Sequence, residues 1–270
     1  MTTNTIVETY SKLADQYDED GNRRSCWGIS ADQALNLVQL KSNHRMVVDV
    51  GCGTGRALVK LAGQHGPNIR FIGVEPAQNM RARAVEATKK HGNVEILEGS
   101  FERLPLESSS VDYLFSIHAL HWVTDLEQSV KELSRVLKPS GEMDLFFIGR
   151  NNGFEFIRKT TPIFLKYMGP TLLLESASMR KQVTRETASR LFETGFGKER
   201  LVVDETHHTY YDSLEGHWNW WVRIEGHFVQ IPVEKKARCD QEIKQALCEL
   251  ATDSGIPYTI HLLHVRVKPE

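Results

Sequence analysis

Two carboxylates frame the part of this chain best suited to holding a ligand. Asp49 stands two residues ahead of the first glycine in Asp49-Val50-Gly51-Cys52-Gly53-Thr54-Gly55, and Glu75 closes Ile69-Arg70-Phe71-Ile72-Gly73-Val74-Glu75. A glycine-only turn between a buried strand and a helix places bare backbone N–H groups beside a ligand. The spacing is G-x-G-x-G. A dinucleotide fingerprint requires a third glycine at position 56, which here is Arg56. No Lys-Ser/Thr pair follows, which excludes a phosphate-cradling P-loop. Asp49 would repel a pyrophosphate and hold an ammonium. Glu75, at the tip of the second strand, can accept hydrogen bonds from both hydroxyls of a ribose.

Further along, His118 and His121 stand beside Trp122 just after an apolar run. Imidazoles titrate near neutral pH, so His118 is expected as base or positioner, with His121 as the second catalytic candidate. A tryptophan-rich segment, His217-Trp218-Asn219-Trp220-Trp221-Val222-Arg223, follows much later. On a helix, Trp218, Trp221, Glu225 and Phe228 share one face, which would wall a pocket for a planar or hydrophobic acceptor or bury itself in a core. Arg223 is read there as a partner for an acceptor carboxylate or as a solvated charge. His207 and His208 are adjacent on a strand and so point to opposite faces, which argues against a metal site.

These residues need a scaffold that gathers strand ends. Strands at 46–50, 69–74, 94–98, 111–117 and 142–148 alternate with helices near 31–41, 55–64, 77–90 and 125–137, the pattern of a doubly wound α/β sheet. Asp49, Glu75, Ser100 and Ser116 all fall at carboxyl ends of strands, where such sheets bind ligands. We expect a core with an N-terminal lid helix over 1–150, a helical cap insertion over 151–182, and a return to the core over 183–211. A second cap insertion over 212–253 and the last core strand over 254–270 complete the chain. Thr184 is expected to cap the returning helix and Gly195 to end it.

The chain has 270 residues, 40% of them apolar, enough for a large core, and a net charge of −2 that gives no basis for nucleic-acid binding. There is no apolar stretch of membrane-spanning length and no basic or apolar leader, so a cytoplasmic protein is expected. The four cysteines lack a C-x-x-C spacing, which fits reduced thiols and no metal.

The residues from Asp49 to Glu75 resemble those of the class I S-adenosylmethionine-dependent methyltransferases, in particular the type 11 branch acting on small molecules. Glu98-Gly99-Ser100-Phe101-Glu102-Arg103-Leu104-Pro105-Leu106, Val111-Asp112-Tyr113-Leu114-Phe115-Ser116, Ala119-Leu120-His121-Trp122-Val123-Thr124-Asp125 and Glu132-Leu133-Ser134-Arg135-Val136-Leu137-Lys138-Pro139-Ser140-Gly141 are similar to successive elements of that family. The similarity covers roughly residues 10–150. It implies a Rossmann-like seven-stranded sheet with the last strand antiparallel, and S-adenosyl-L-methionine as cofactor. It also implies a cofactor site of Tyr17, Asp49, Gly51, Gly53, Gly55, Glu75, Pro76, Met80, Ser100, Phe101 and Ser116. Ser100 replaces the family's usual Asp, so the adenine amino group would meet a neutral acceptor. Tyr10 and Tyr17 lie in a segment similar to the family's lid helix, which implies closure over the methionine end of the cofactor; Tyr10, Trp122, Trp218, Trp221 and Arg223 are the candidate lining of the acceptor pocket.

Cap placement and the histidines after strand four resemble the carboxyl O-methyltransferases, including those acting on malonyl carrier proteins. The expected reaction is methyl transfer to a carboxylate or hydroxyl of a small-molecule or carrier-bound acceptor. Transfer to nitrogen or carbon, and a non-catalytic regulatory protein that binds the cofactor, are the alternatives.

Overall fold

The structure, a computed structural model, describes residues 2–18, 23–223, 229 and 231–270, with the side chains of 2–4, 222 and 223 excepted. The apolar run Met46–Val50 forms β1, in which Val47, Val48 and Val50 have no exposed surface, as a strand covered on both faces requires. Around it a seven-stranded sheet assembles in the order β3-β2-β1-β4-β5-β7-β6. Its other strands are β2 (Arg70–Val74), β3 (Val94–Leu97), β4 (Val111–Ile117), β5 (Leu137–Ile148), β6 (Leu201–Asp212) and β7 (Ile256–Val267). Only β7 runs antiparallel to both of its neighbours, as the sequence leads one to expect. Register pairs Asp49 with Gly73 and Val48 with Leu114, so the ends of β1, β2 and β4 converge on one edge.

Helices α1 (Thr2–Tyr17), α2 (Cys26–Leu37), α3 (Arg56–His65), α4 (Gln78–Thr88) and α5 (Leu126–Val136) alternate with these strands. Local caps explain their limits. Ser25 accepts from the Gly28 amide and starts α2 five residues before the expected 31, while Asp125 caps α5 through the Gln128 amide. Thr184 caps α7 (Arg185–Phe196) as its sequence indicates. That helix ends on Gly197, at φ 75°, and not on Gly195, whose missing side chain instead leaves room for Val130. β5 begins at Leu137, before the expected 142, because Leu137 pairs with Val111 ahead of a bulge over 138–141, and β7, from Ile256, pairs along its whole length with β6.

The remaining helices are α6 (Phe154–Ser178), bent at Gly169 just before Pro170, α8 (Leu214–Arg223) and α9 (Val233–Leu250). Phe156, Phe164, Trp221, Ile243 and Leu247 from these helices form a second core with Tyr258 of β7, Leu13 of α1 and Cys26 of α2. No described helix is long and apolar enough to cross a membrane.

Candidate functional site

The glycine turn is shaped by three left-handed residues, Gly51 at φ 75°, Gly53 at 56° and Gly55 at 82°. The amides of Gly51 and Cys52 both donate to the Val74 carbonyl, at 2.8 and 3.2 Å, which pins the turn against the end of β2. A Cβ on Gly51 would collide with the Ala119 methyl. Gly55 serves a different purpose: a Cβ there would stand 3.1 Å from the Ala84 Cα of α4, so its absence lets the two helices close up. Gly51 and Gly53 line the cavity at the strand ends; Gly55 does not.

Glu75 holds the other side of that turn. Its Oε2 accepts the Gly53 amide and its Oε1 the Ala77 amide, both at 2.9 Å. Each oxygen keeps lone-pair capacity for a further donor in the chamber that Glu75 lines. Burial raises its pKa, and the two amides and Arg81 oppose that rise. Asp49 is only 3% exposed, and its carboxyl makes no hydrogen bond among the described residues. Burial first, and the Glu75 charge second, push its carboxyl well above the usual range. A desolvated carboxylate facing a cavity calls for a cation. A ligand with a positively charged tail and a sugar offering two hydroxyls fits this pair, and a diphosphate does not.

Two chambers meet at this edge of the sheet. Glu75, Pro76, Met80, Ser100 and Phe101 line one, and Asp49, Thr54, Trp27, His121, Arg180 and Trp220 line the other. Tyr10, Tyr17, His118 and Trp122 border both. Helix α1 brings in the two tyrosines, with Tyr10 edge-on to Tyr17 and to Trp122 at 6.1 Å each. The end of that helix is tied to the turn by Thr54 Oγ1, which donates to Asp18 Oδ1 at 2.9 Å.

His118 follows β4 directly at φ 56°, a conformation that a non-glycine residue adopts only at some strain. Its amide donates to the Phe146 carbonyl at 2.7 Å and its Nε2 lies 3.2 Å from Ser30 Oγ. Burial lowers its pKa to about 4. His121, 3% exposed, sits in the short 3₁₀ turn Leu120–Trp122, and its Nδ1 receives the Ile148 amide at 3.4 Å. Burial, then Arg180, then His118 push its pKa far down. Both imidazoles are therefore neutral at neutral pH, and neither stores a proton there.

Three expected residues besides Gly55 lie elsewhere. Ser116 is 1% exposed inside the sheet, lines neither chamber, and leaves its hydroxyl without a partner. Trp221 is 1% exposed in the second core, 5.3 Å from Phe156 and 5.5 Å from Phe164, ring centre to ring centre. Trp218 packs beside that core with the Lys244 ammonium 4.2 Å over its ring. The cavity takes Trp220 instead, stacked on Trp27 at 5.3 Å. The shared face of Trp218 and Trp221 is thus the buried stripe of α8, since an apolar stripe first satisfies a core. The side chain of Arg223, and Glu225 and Phe228, lie outside the described residues.

Several lining residues carry no motif. Trp27 and Asp32 come from α2 and Ser25 from its cap, and Arg180, just past the end of α6, sets its guanidinium 5.2 Å over the Trp122 ring. The two bonds from Arg56 to the Asp32 carboxylate, at 2.6 Å each, join α3 to α2 beneath the cavity.

Away from this cavity, Glu205, His207 and His261 bring three potential metal ligands together on β6 and β7. The Asn151 amide donates to His261 Nδ1 at 2.9 Å, so a neutral ring keeps its proton on Nε2. That nitrogen lies 2.7 Å from Glu205 Oε1, within ion-pair range but out of line for a hydrogen bond. A metal would need Nε2 bare. We read the trio as a cross-strand contact between histidine and carboxylate.

Residues 48–144 match a family profile described as a methyltransferase domain, a span holding both acids and all three turn glycines. Over 216 residues the chain is 28% identical to a demethylmenaquinone methyltransferase of Bacillus cytotoxicus, covering 73% of this chain and 89% of that protein. A methyltransferase-like protein of Schizosaccharomyces pombe is 31% identical over 122 residues, 45% of each chain. Among solved structures, a SAM-dependent methyltransferase of Thermotoga maritima superposes with TM-score 0.56 at 20% identity, covering 97% of this chain and 98% of that one. A phosphoethanolamine N-methyltransferase of Haemonchus contortus superposes with TM-score 0.58 at 16% identity, covering 100% of this chain and 58% of that one. Those two likenesses concern the fold, whereas the profile falls on the turn and the acids themselves. On that ground residues 48–144 form a methyltransferase domain, and the chain is an S-adenosylmethionine-dependent methyltransferase.

Proposed function

We propose that this protein transfers the methyl group of S-adenosylmethionine to oxygen on a small-molecule acceptor. The observation that carries the reading is Asp49, buried without a partner beside the glycine turn and facing Glu75 across it. Glu75 would hold the ribose hydroxyls and Asp49 the cationic tail. Pro76, Met80, Ser100 and Phe101 would enclose the adenine, and Tyr17 would close over the methionine end. The sulfonium supplies an already activated methyl group, so the protein has mainly to align acceptor and donor and to exclude water.

The acceptor would occupy the second chamber, among Tyr10, Trp27, Trp122, Trp220 and the two histidines, under a cap formed by α6, α8 and α9. Stacked indoles favour a planar or hydrophobic body. A net charge of −2 supports a small acceptor over a nucleic acid. Calorimetric titration with S-adenosylhomocysteine tests the cofactor half. Mass spectrometry of acceptor panels incubated with S-adenosylmethionine tests the other half, and a product methylated on oxygen is expected. A second reading, transfer to nitrogen or carbon, draws support from the relative named for demethylmenaquinone. Fragmentation of the product separates the two.

A further inference from the structure

Arg180 lies just past the end of α6 and is half-buried, with its guanidinium 5.2 Å over the Trp122 ring. The two segments are joined right beside that contact, because the Lys181 amide donates to the His121 carbonyl at 2.9 Å. Two residues further on, the Val183 carbonyl accepts the Arg150 amide at 2.8 Å, and Val183 is 2% exposed. Backbone anchored immediately beyond Arg180 therefore presents its guanidinium at the wall of the second chamber. An indole stacked on a guanidinium covers its face, whereas the N–H donors lie in its plane. The stack orients those donors without using them.

Among the described residues three arginines line this chamber, and their settings differ. Arg23 is exposed, where a charge is solvated and screened. Arg56 opens α3 directly after the glycine turn and holds the Asp32 carboxylate through two bonds of 2.6 Å, which puts it at the cofactor's end of the chamber. Arg180 is joined instead to the turn after β4. Its chamber also holds Trp27, Trp122 and Trp220 and two histidines that burial keeps neutral. In aromatic surroundings an anion is held only where a cation meets it, and a guanidinium meets a carboxylate through two parallel N–H···O bonds. A bound sulfonium adds positive charge on the cofactor side, which again favours an anionic acceptor.

We infer that Arg180 determines specificity for the acceptor, and that the acceptor is an organic acid with an apolar or planar body whose carboxylate Arg180 holds beside Trp122. This rests on the methyl-transfer reading above. The indoles would take the body of the acceptor and the guanidinium its charge. A molecule of the same shape without the charge keeps the first set of contacts and loses the second, so the two are separable by experiment.

Calorimetry on protein saturated with S-adenosylhomocysteine tests this without the natural acceptor. The probes are benzoate, 2-naphthoate and octanoate, each paired with the alcohol of the same carbon skeleton. The wild type is expected to bind at least one acid more tightly than its alcohol. Arg180→Met keeps an apolar stem against Trp122 and removes the charge. It should weaken that acid about tenfold or more, leave the alcohol within about twofold, and bind S-adenosylhomocysteine as the wild type does. Arg180→Lys should recover only part of the loss, since an ammonium lacks the planar fork. No acid bound by the wild type, a preference for the alcohols, or equal weakening of both partners in Arg180→Met overturns the inference. Loss of S-adenosylhomocysteine binding in Arg180→Met also overturns it, because the arginine then serves the cofactor. In each of these cases the methyltransferase reading stands as long as the wild type binds S-adenosylhomocysteine; if it does not, both fall.

Discussion

Gly53 and Glu75, 22 positions apart, are joined by a 2.9 Å hydrogen bond from the Gly53 amide to Glu75 Oε2. One carboxylate thus fixes the turn and, in the proposed site, would offer its remaining lone pairs to the sugar. Glu75→Ala removes both functions. Calorimetry should show S-adenosylhomocysteine affinity lowered by about 10²-fold or more, since two hydrogen bonds to a charged group are each worth ~1.5–3 kcal/mol.

Asp49 predicts a trade between stability and binding. Its folded-state pKa is raised, so the folded protein holds this proton more tightly than the unfolded chain does. Stability is therefore lost as pH rises from the ordinary carboxylate value of 3.8 toward the raised folded value, and it stays lost at neutral pH. Asp49→Asn should raise the melting temperature of ligand-free protein at pH 7, with the gain fading in acid. The same variant should bind S-adenosylmethionine more weakly. Scanning calorimetry at pH 4 and pH 7 checks the sign.

The turn glycines should differ in their tolerance. Gly51→Ala meets both a positive φ and the Ala119 methyl, so it should lose cofactor binding and about 2 kcal/mol or more of stability. Gly53→Ala has nothing within 4 Å of its new Cβ and should cost only the left-handed backbone penalty, ~1–2 kcal/mol. Urea unfolding of the two variants ranks them.

Neighbouring tryptophans should separate core from cavity. Trp221→Ala opens a hole between Phe156 and Phe164 and should destabilise by ~3–5 kcal/mol. Trp220→Ala should cost less stability and instead raise the acceptor KM, because Trp220 borders the second chamber. Melting curves and steady-state kinetics together test the pair.

The sheet and the cofactor edge were legible because they rest on local signals. The glycine turn, its two acids and the buried runs Met46–Val50 and Arg70–Val74 are contiguous patterns with fixed spacing. The acceptor chamber has no such spacing. Trp27 and Asp32 reach it from α2, Arg180 from just past the end of α6, and Trp220 from α8, and each position depends on how distant helices pack. On α8 the period correctly grouped Trp218 with Trp221, but periodicity alone does not say whether a stripe faces a core or a pocket. The early start of β5 likewise came from a single long-range pairing, Leu137 with Val111, beyond which Lys138-Pro139-Ser140-Gly141 bulges before the ladder resumes at Glu142.

Calorimetric titration of the wild type and Glu75→Ala with S-adenosylhomocysteine, with NADH as the control ligand, addresses the cofactor edge most directly. Saturable binding of S-adenosylhomocysteine by the wild type, its loss in Glu75→Ala, and no heat with NADH are expected. Equal affinity in the two proteins, or a preference for NADH, would contradict the assignment of Asp49, the glycine turn and Glu75 to a sulfonium nucleoside.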